Sequence, residues 1–132
     1  MQCLLQYLCI FRAIFKHLKS GGLTVILPDH VPKESGGIYS MFYGQNALSS
    51  SLVSKLASKT QCKVIGMTCS RNENSGGFEI VVSEISEDIL SKDLQLSVDT
   101  LNKELEQMIN TAPAQYIWGY KRFRKIMEFK KD

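Results

Sequence analysis

The sequence predicts an α/β fold, a partial mixed sheet with flanking helices, in one domain over residues 1–132. Three observations predict it. Apolar residues recur at helical spacing near both ends, short β-branched runs lie between them, and Gly, Pro, Asn and Ser clusters separate the segments. A chain of 132 residues with 44% apolar content suffices for a core.

Taken in order, Leu4, Leu8, Phe11, Phe15 and Leu18 form a helical stripe that Leu5, Ile10 and Ile14 widen, so a helix is expected to Lys19. Gly21 and Gly22 stop it. Residues 23–27, LTVIL, read as a strand buried on both faces, ended by Pro28. The loop DHVPKESGG leads to a second extended piece, residues 38–43. After Gly44, the positions Leu48, Leu52, Val53 and Leu56 predict a helix capped by Asn46. Residues 63–69 and 78–82 read as a hairpin joined by the turn formers of RNENSGG. An acidic connection over residues 84–93 precedes a last amphipathic helix, residues 98–110, carrying Leu101, Leu105, Met108 and Ile109 and closed by Pro113. The first helix is apolar on more than one side, as expected of a piece of a larger domain.

Charge is unevenly placed. In residues 115–132, Lys121, Arg122, Arg124, Lys125, Lys130 and Lys131 stand against Glu128 and Asp132, so that segment carries +4 of a chain whose total is +3. Tyr116, Trp118, Tyr120 and Phe123 alternate with these cations. Aromatic rings with polar tips beside Lys and Arg suit an anionic membrane surface, with Trp118, Lys121, Arg122, Arg124 and Lys125 as its contacts. The competing expectation is that at least half of the aromatics fold back on the core while the charges face water. No recognition helix or RNA-binding signature accompanies the basic tail, and nucleic acid is not an expected partner. The first eleven residues are apolar but fall short of the ~20 needed to span a bilayer, so any membrane contact is expected from one side.

Cys3, Cys9, Cys62 and Cys69 form no CxxC pair and have no histidine at ligand spacing, so no metal is expected, and the thiols read as buried and reduced. No GxSxG, Walker, GxGxxG or HExxH motif occurs, and no cofactor is expected. His17 and His30 alone titrate near neutrality by type. His17 reads as a solvated helix residue. His30 lies beside Asp29 just past the end of the run 23–27, where α/β proteins place ligand-binding groups.

The segment KHLKSGGLTVILPDHVPKESGGIYSMFYGQNALSSSLVSKLASKT, followed at a distance by APAQYIWGYKRFRK, resembles the later half of the lipid A late acyltransferases, the lauroyl and myristoyl transferases of the lysophospholipid acyltransferase-like superfamily. The similarity runs from about residue 12 to 125. It rests on an ordered set: Pro28-Asp29-His30, Gly36-Gly37, Phe42-Tyr43-Gly44, Ala47 with Ser49, then Pro113, Gln115, Tyr116, Trp118 and Arg122-Phe123. Met41 stands where the family more often has proline. The resemblance implies the C-terminal portion of an acyltransferase α/β domain, peripheral on the cytoplasmic face of the inner membrane. It also implies transfer of a fatty acyl group from an acyl carrier protein thioester to a hydroxyl of a lipid A precursor. It places Arg12, Asp29 and His30 near the substrate cleft.

In that family a histidine followed at the fifth position by a carboxylate deprotonates the hydroxyl. Here Gly22 follows His17 and Ser35 follows His30 at that distance. The expectation is therefore a truncated domain without catalytic residues of its own, inactive unless a separate N-terminal half completes it. The alternative is a non-catalytic membrane-surface binding module.

Overall fold

A computed structural model describes residues 2–72 and 74–125, with side chains from residue 10 onward. The first helix, α1 (Gln2–Lys19), spans the predicted range. It packs on α2 (Leu52–Thr60), and Lys59 lies over the Phe11 ring at 5.4 Å. Gly21 adopts φ +83°, which only glycine takes freely, and turns the chain out of the helix. The side chains of Cys3 and Cys9, and residues 126–132 with four of the tail's charges, lie outside the described residues.

The mixed α/β character is as expected, with its strands in two antiparallel pairs. The strands β1 (Gly37–Phe42) and β2 (Gln45–Ser50) form one pair, β3 (Ile65–Arg71) and β4 (Phe78–Glu84) the other. A long helix, α3 (Leu94–Asn110), packs across β1, β2 and β3. The core joins Phe42, Ala47, Ala57, Ile85, Ile89, Leu101 and Leu105, with Tyr43, Val53, Met108 and Phe123 packed around it.

Three expectations are corrected. Residues 23–27 pair with no strand among the described residues; Leu23, Val25 and Leu27 are 74%, 72% and 67% exposed. Composition gave this run the apolar character of a central strand, but no neighbouring strand receives it.

The helix expected directly after Gly44 begins later. Phe42 pairs with Gln45 across the two-residue turn Tyr43-Gly44, whose φ angles of 48° and 73° match the twist a tight hairpin requires. Asn46 and Leu48 consequently lie in β2, and α2 starts after Ser51. Cys69 is exposed rather than buried.

The last helix starts a turn earlier than periodicity indicated, because the Asp93 carboxylate accepts from the amides of Gln95 and Leu96. The expected hairpin over residues 63–82 is present as β3 and β4, with Cys69 opposite Ile80. On its inner side Gly66 lets Met108 approach the backbone.

Candidate functional site

The site forms where the tail, residues 116–125, crosses the loop that follows Pro28 and the β1–β2 hairpin. Strand β2 shows how the sequence builds it. Ala47, Leu48 and Ser49 are buried in succession, although a strand with one wet face would alternate. The second cover is the tail. The Leu48 amide donates to the Lys125 carbonyl at 3.2 Å, and Arg122 Nη1 donates to the Leu48 carbonyl at 2.8 Å.

Arg122 is the centre of this arrangement. It is only 2% exposed, lies over the Phe42 ring at 4.8 Å, and donates through Nη2 to Ser49 Oγ at 2.8 Å. Burial pushes its guanidinium below the ordinary value, and the neighbouring Tyr116 and Asp29 act in the opposite direction. Of the five residues expected on an anionic surface, Arg122 is therefore the correction, since its charge points inward.

Ser49 Oγ donates to the Ala47 carbonyl and also accepts from Asn102 Nδ2 at 2.8 Å. Asn102 in turn donates to Ser40 Oγ at 2.9 Å, and Ser40 donates to Asp99 at 2.6 Å. A polar chain thus runs from α3 through the hairpin to the tail, inside a layer that is otherwise apolar. Ser40, Asn102 and Asp99 were not visible as a group in sequence, because they are far apart and each is common on a surface. The signal available was Ser40 and Asn102 standing at positions whose neighbours alternate with core residues.

The same tail grips the loop. Tyr116 Oη donates to Asp29 Oδ2 at 3.2 Å, and the Val31 amide donates to Tyr120 Oη at 3.0 Å. Arg124 Nη2 donates to the Val31 carbonyl at 3.2 Å, while Lys125 pairs with Glu34 at 3.0 Å. The His30 ring tilts against Tyr120 at 5.3 Å. Burial, the Asp29 charge and its hydrogen bond push the Tyr116 phenol up to about 12. Tyr43, Trp118 and Tyr116 stack edge to face beside this point, and Phe123 lies against Phe42.

Asp29 and His30 are thus brought together with Tyr116, Tyr120, Arg122 and Arg124. Arg12 is not among them; it is exposed on α1 and makes no ion pair with Asp29. Trp118 is 49% exposed and the adjoining Ile117 74%, with Lys121 and Arg124 also exposed. The core-directed reading expected Tyr116, Trp118 and Phe123 to pack inward; Tyr116 and Phe123 are half-buried, as is Tyr120, and Trp118 is not.

Chemically, the loop presents an exposed imidazole and a carboxylate already bonded to a phenol. Among the described residues His30 makes a ring contact but no hydrogen bond that would fix its tautomer, and His17 Nε2 donates to the Leu23 carbonyl at 3.1 Å at the end of α1. Among the described residues neither imidazole is held by a carboxylate, a group that would orient it as a general base for an alcohol. No helix among the described residues is long and apolar enough to cross a membrane.

A relative from Haemophilus influenzae, a lipid A biosynthesis acyltransferase, is 25% identical over 107 residues, covering 81% of this chain and 33% of its own length. The chain therefore spans about a third of that curated relative. The sequence pattern of the bacterial lipid A biosynthesis acyltransferases matches residues 6–125, a stretch that contains the loop, the hairpin and the tail. The chain belongs to that family.

Proposed function

We propose that this chain supplies the acceptor-side loop of an enzyme that moves a fatty acyl group from an acyl carrier protein thioester to a hydroxyl of a lipid A precursor. The observation that carries the reading is the convergence of the family's separated motifs on one loop. Tyr116 donates to Asp29, beside His30, and Arg122 donates to Ser49, across 87 and 73 positions of the chain. In the transfer the hydroxyl oxygen attacks the thioester carbonyl, the carbon–sulfur bond breaks, and the thiolate receives the proton that the hydroxyl lost. That proton needs a base. His17 and His30 lack the carboxylate partner, so the chain by itself carries out no transfer. The experiment is an acyl transfer assay with an acyl carrier protein donor and a lipid A precursor. No product from the 132-residue chain alone is expected, and turnover by it would overturn the reading.

A second reading, a membrane-surface module on the cytoplasmic face of the inner membrane, is favoured by the exposed Ile117 and Trp118 beside Lys121 and Arg124. Aromatic and aliphatic groups next to exposed cations bind anionic headgroups, each cation contributing about 1 kcal/mol. Co-sedimentation with anionic vesicles at low salt, weakened by Trp118→Ala, is the expected result; no sedimentation would remove this reading.

A further inference from the structure

Two apolar surfaces are left uncovered, and they belong to different elements. The first is the run 23–27, whose Leu23, Val25 and Leu27 face outward and whose backbone enters no ladder among the described residues. The second is the outer face of the β3–β4 hairpin. The register places Met67 opposite Val82 and Cys69 opposite Ile80, with Ile65 and Phe78 at its ends. Those five apolar side chains, Ile65, Met67, Phe78, Ile80 and Val82, are 53% to 68% exposed, while on the other face β3 packs on α3 at Gly66 and Met108. A two-stranded hairpin with a bare apolar face is marginal by itself, and contiguous patches of this kind mark an interaction surface.

The occupant must satisfy two requirements. It must bury aliphatic side chains, and it must supply donors and acceptors to the backbone of residues 23–27. Lipid meets the first but not the second, since open strand edges are not accommodated in hydrocarbon. A second copy across a two-fold axis brings only the same two surfaces, and the side-chain face of its hairpin offers residues 23–27 no backbone donors or acceptors. The part of the Haemophilus influenzae relative outside the matched third is twice the length of the region matched here, long enough to bring both a strand and an apolar element. We infer that the edge at residues 23–27 and the outer β3–β4 face form a seam that receives the rest of a lipid A acyltransferase body, a strand adding to residues 23–27 and an apolar element covering the hairpin. This rests on the reading of the chain as part of a larger acyltransferase.

The test uses binding rather than turnover, so that a complex without activity would count against the proposed reaction and leave the seam standing. The full 132-residue chain is co-expressed with the Haemophilus influenzae relative's remaining two thirds and purified through a tag on the latter. A one-to-one complex is expected, with amide exchange over residues 24–27 and 66–70 slowed at least about tenfold relative to the free chain. Val25→Lys and Val82→Lys are each expected to weaken the complex about tenfold or more, the loss of one buried side chain of that size. Both positions are exposed in the free chain, so the variants fold. Leu96→Lys, at an exposed position of α3 that belongs to neither surface, is expected to leave it unchanged. Absence of a complex, unchanged exchange at residues 24–27, a homodimer that protects them, or recruitment to vesicles through Val25 and Val82 would each overturn the inference.

Discussion

Replacing Arg122 by methionine keeps the apolar stem and removes the guanidinium. Two charge-assisted hydrogen bonds disappear, to the Leu48 carbonyl and Ser49 Oγ, each contributing about 1.5–3 kcal/mol. The contact with the Phe42 ring contributes about 1–2 kcal/mol more in a desolvated setting. Against this stands the relief of several kcal/mol from no longer burying a charge that meets no carboxylate among the described residues. The Nε proton, which has no hydrogen-bond partner, is removed as well. The balance predicts a loss of about 2–4 kcal/mol of stability. Ser49→Ala leaves Arg122 Nη2 and Asn102 Nδ2 each short of an acceptor, a cost of about 1–3 kcal/mol. Because both changes break the same bond, the double variant should lose about 1–2 kcal/mol less than the two losses added. Urea denaturation midpoints at constant slope measure all three. Single losses below about 0.5 kcal/mol, or additivity within about 0.5 kcal/mol, would refute the claim that this network holds the tail to the hairpin.

The Tyr116 phenol is held at about 12, above its ordinary 10. A raised folded value means the stabilisation is complete below about pH 10 and is lost as pH climbs through about 12, so wild type should lose stability over that window and Tyr116→Phe should show a flatter profile in pH-dependent denaturation. Gly66→Ala would set a Cβ 2.5 Å from Met108 Sδ and 3.0 Å from Ser83 Oγ; since Met108 can yield only in part, a destabilisation of about 1–3 kcal/mol is expected from thermal melts. Tyr120→Phe removes the acceptor of the Val31 amide and should speed hydrogen exchange at that amide about fivefold to tenfold while leaving α3 unchanged.

How much of this was legible in sequence differs by element for physical reasons. Both long helices follow from periodicity, because one helical face buries and the other does not. The β3–β4 hairpin follows from its turn formers. Strand β2 does not, since Leu48, Leu52 and Leu56 fall at helical spacing by accident while the turn at Tyr43-Gly44 governs the chain direction. Reading Tyr43-Gly44 as a two-residue turn would have paired residues 38–42 with 45–49 directly. In the site, Asp29 and His30 were recognisable by their place after an apolar run. Arg122 was read as a surface cation because most arginines are, and only the tail's path past the Leu48 carbonyl turns it inward.

That inward turn bears on what the family resemblance marks in this chain. Desolvation takes back part of what the hydrogen bonds of a buried guanidinium give, and Arg122 meets no carboxylate among the described residues. Its planar fork is nevertheless selective in geometry, because it meets the Leu48 carbonyl and Ser49 Oγ together only at one position of the tail. That position also sets where Tyr116 and Tyr120 fall, six and two residues earlier, and hence which loop atoms they reach. A tail displaced by one residue would put Ile117 in place of Tyr116 and Lys121 in place of Tyr120, and neither could hold Asp29 or accept from Val31 in the same way. Arg122, Tyr116 and Tyr120 thus act together to fix the placement of the Asp29–His30 loop.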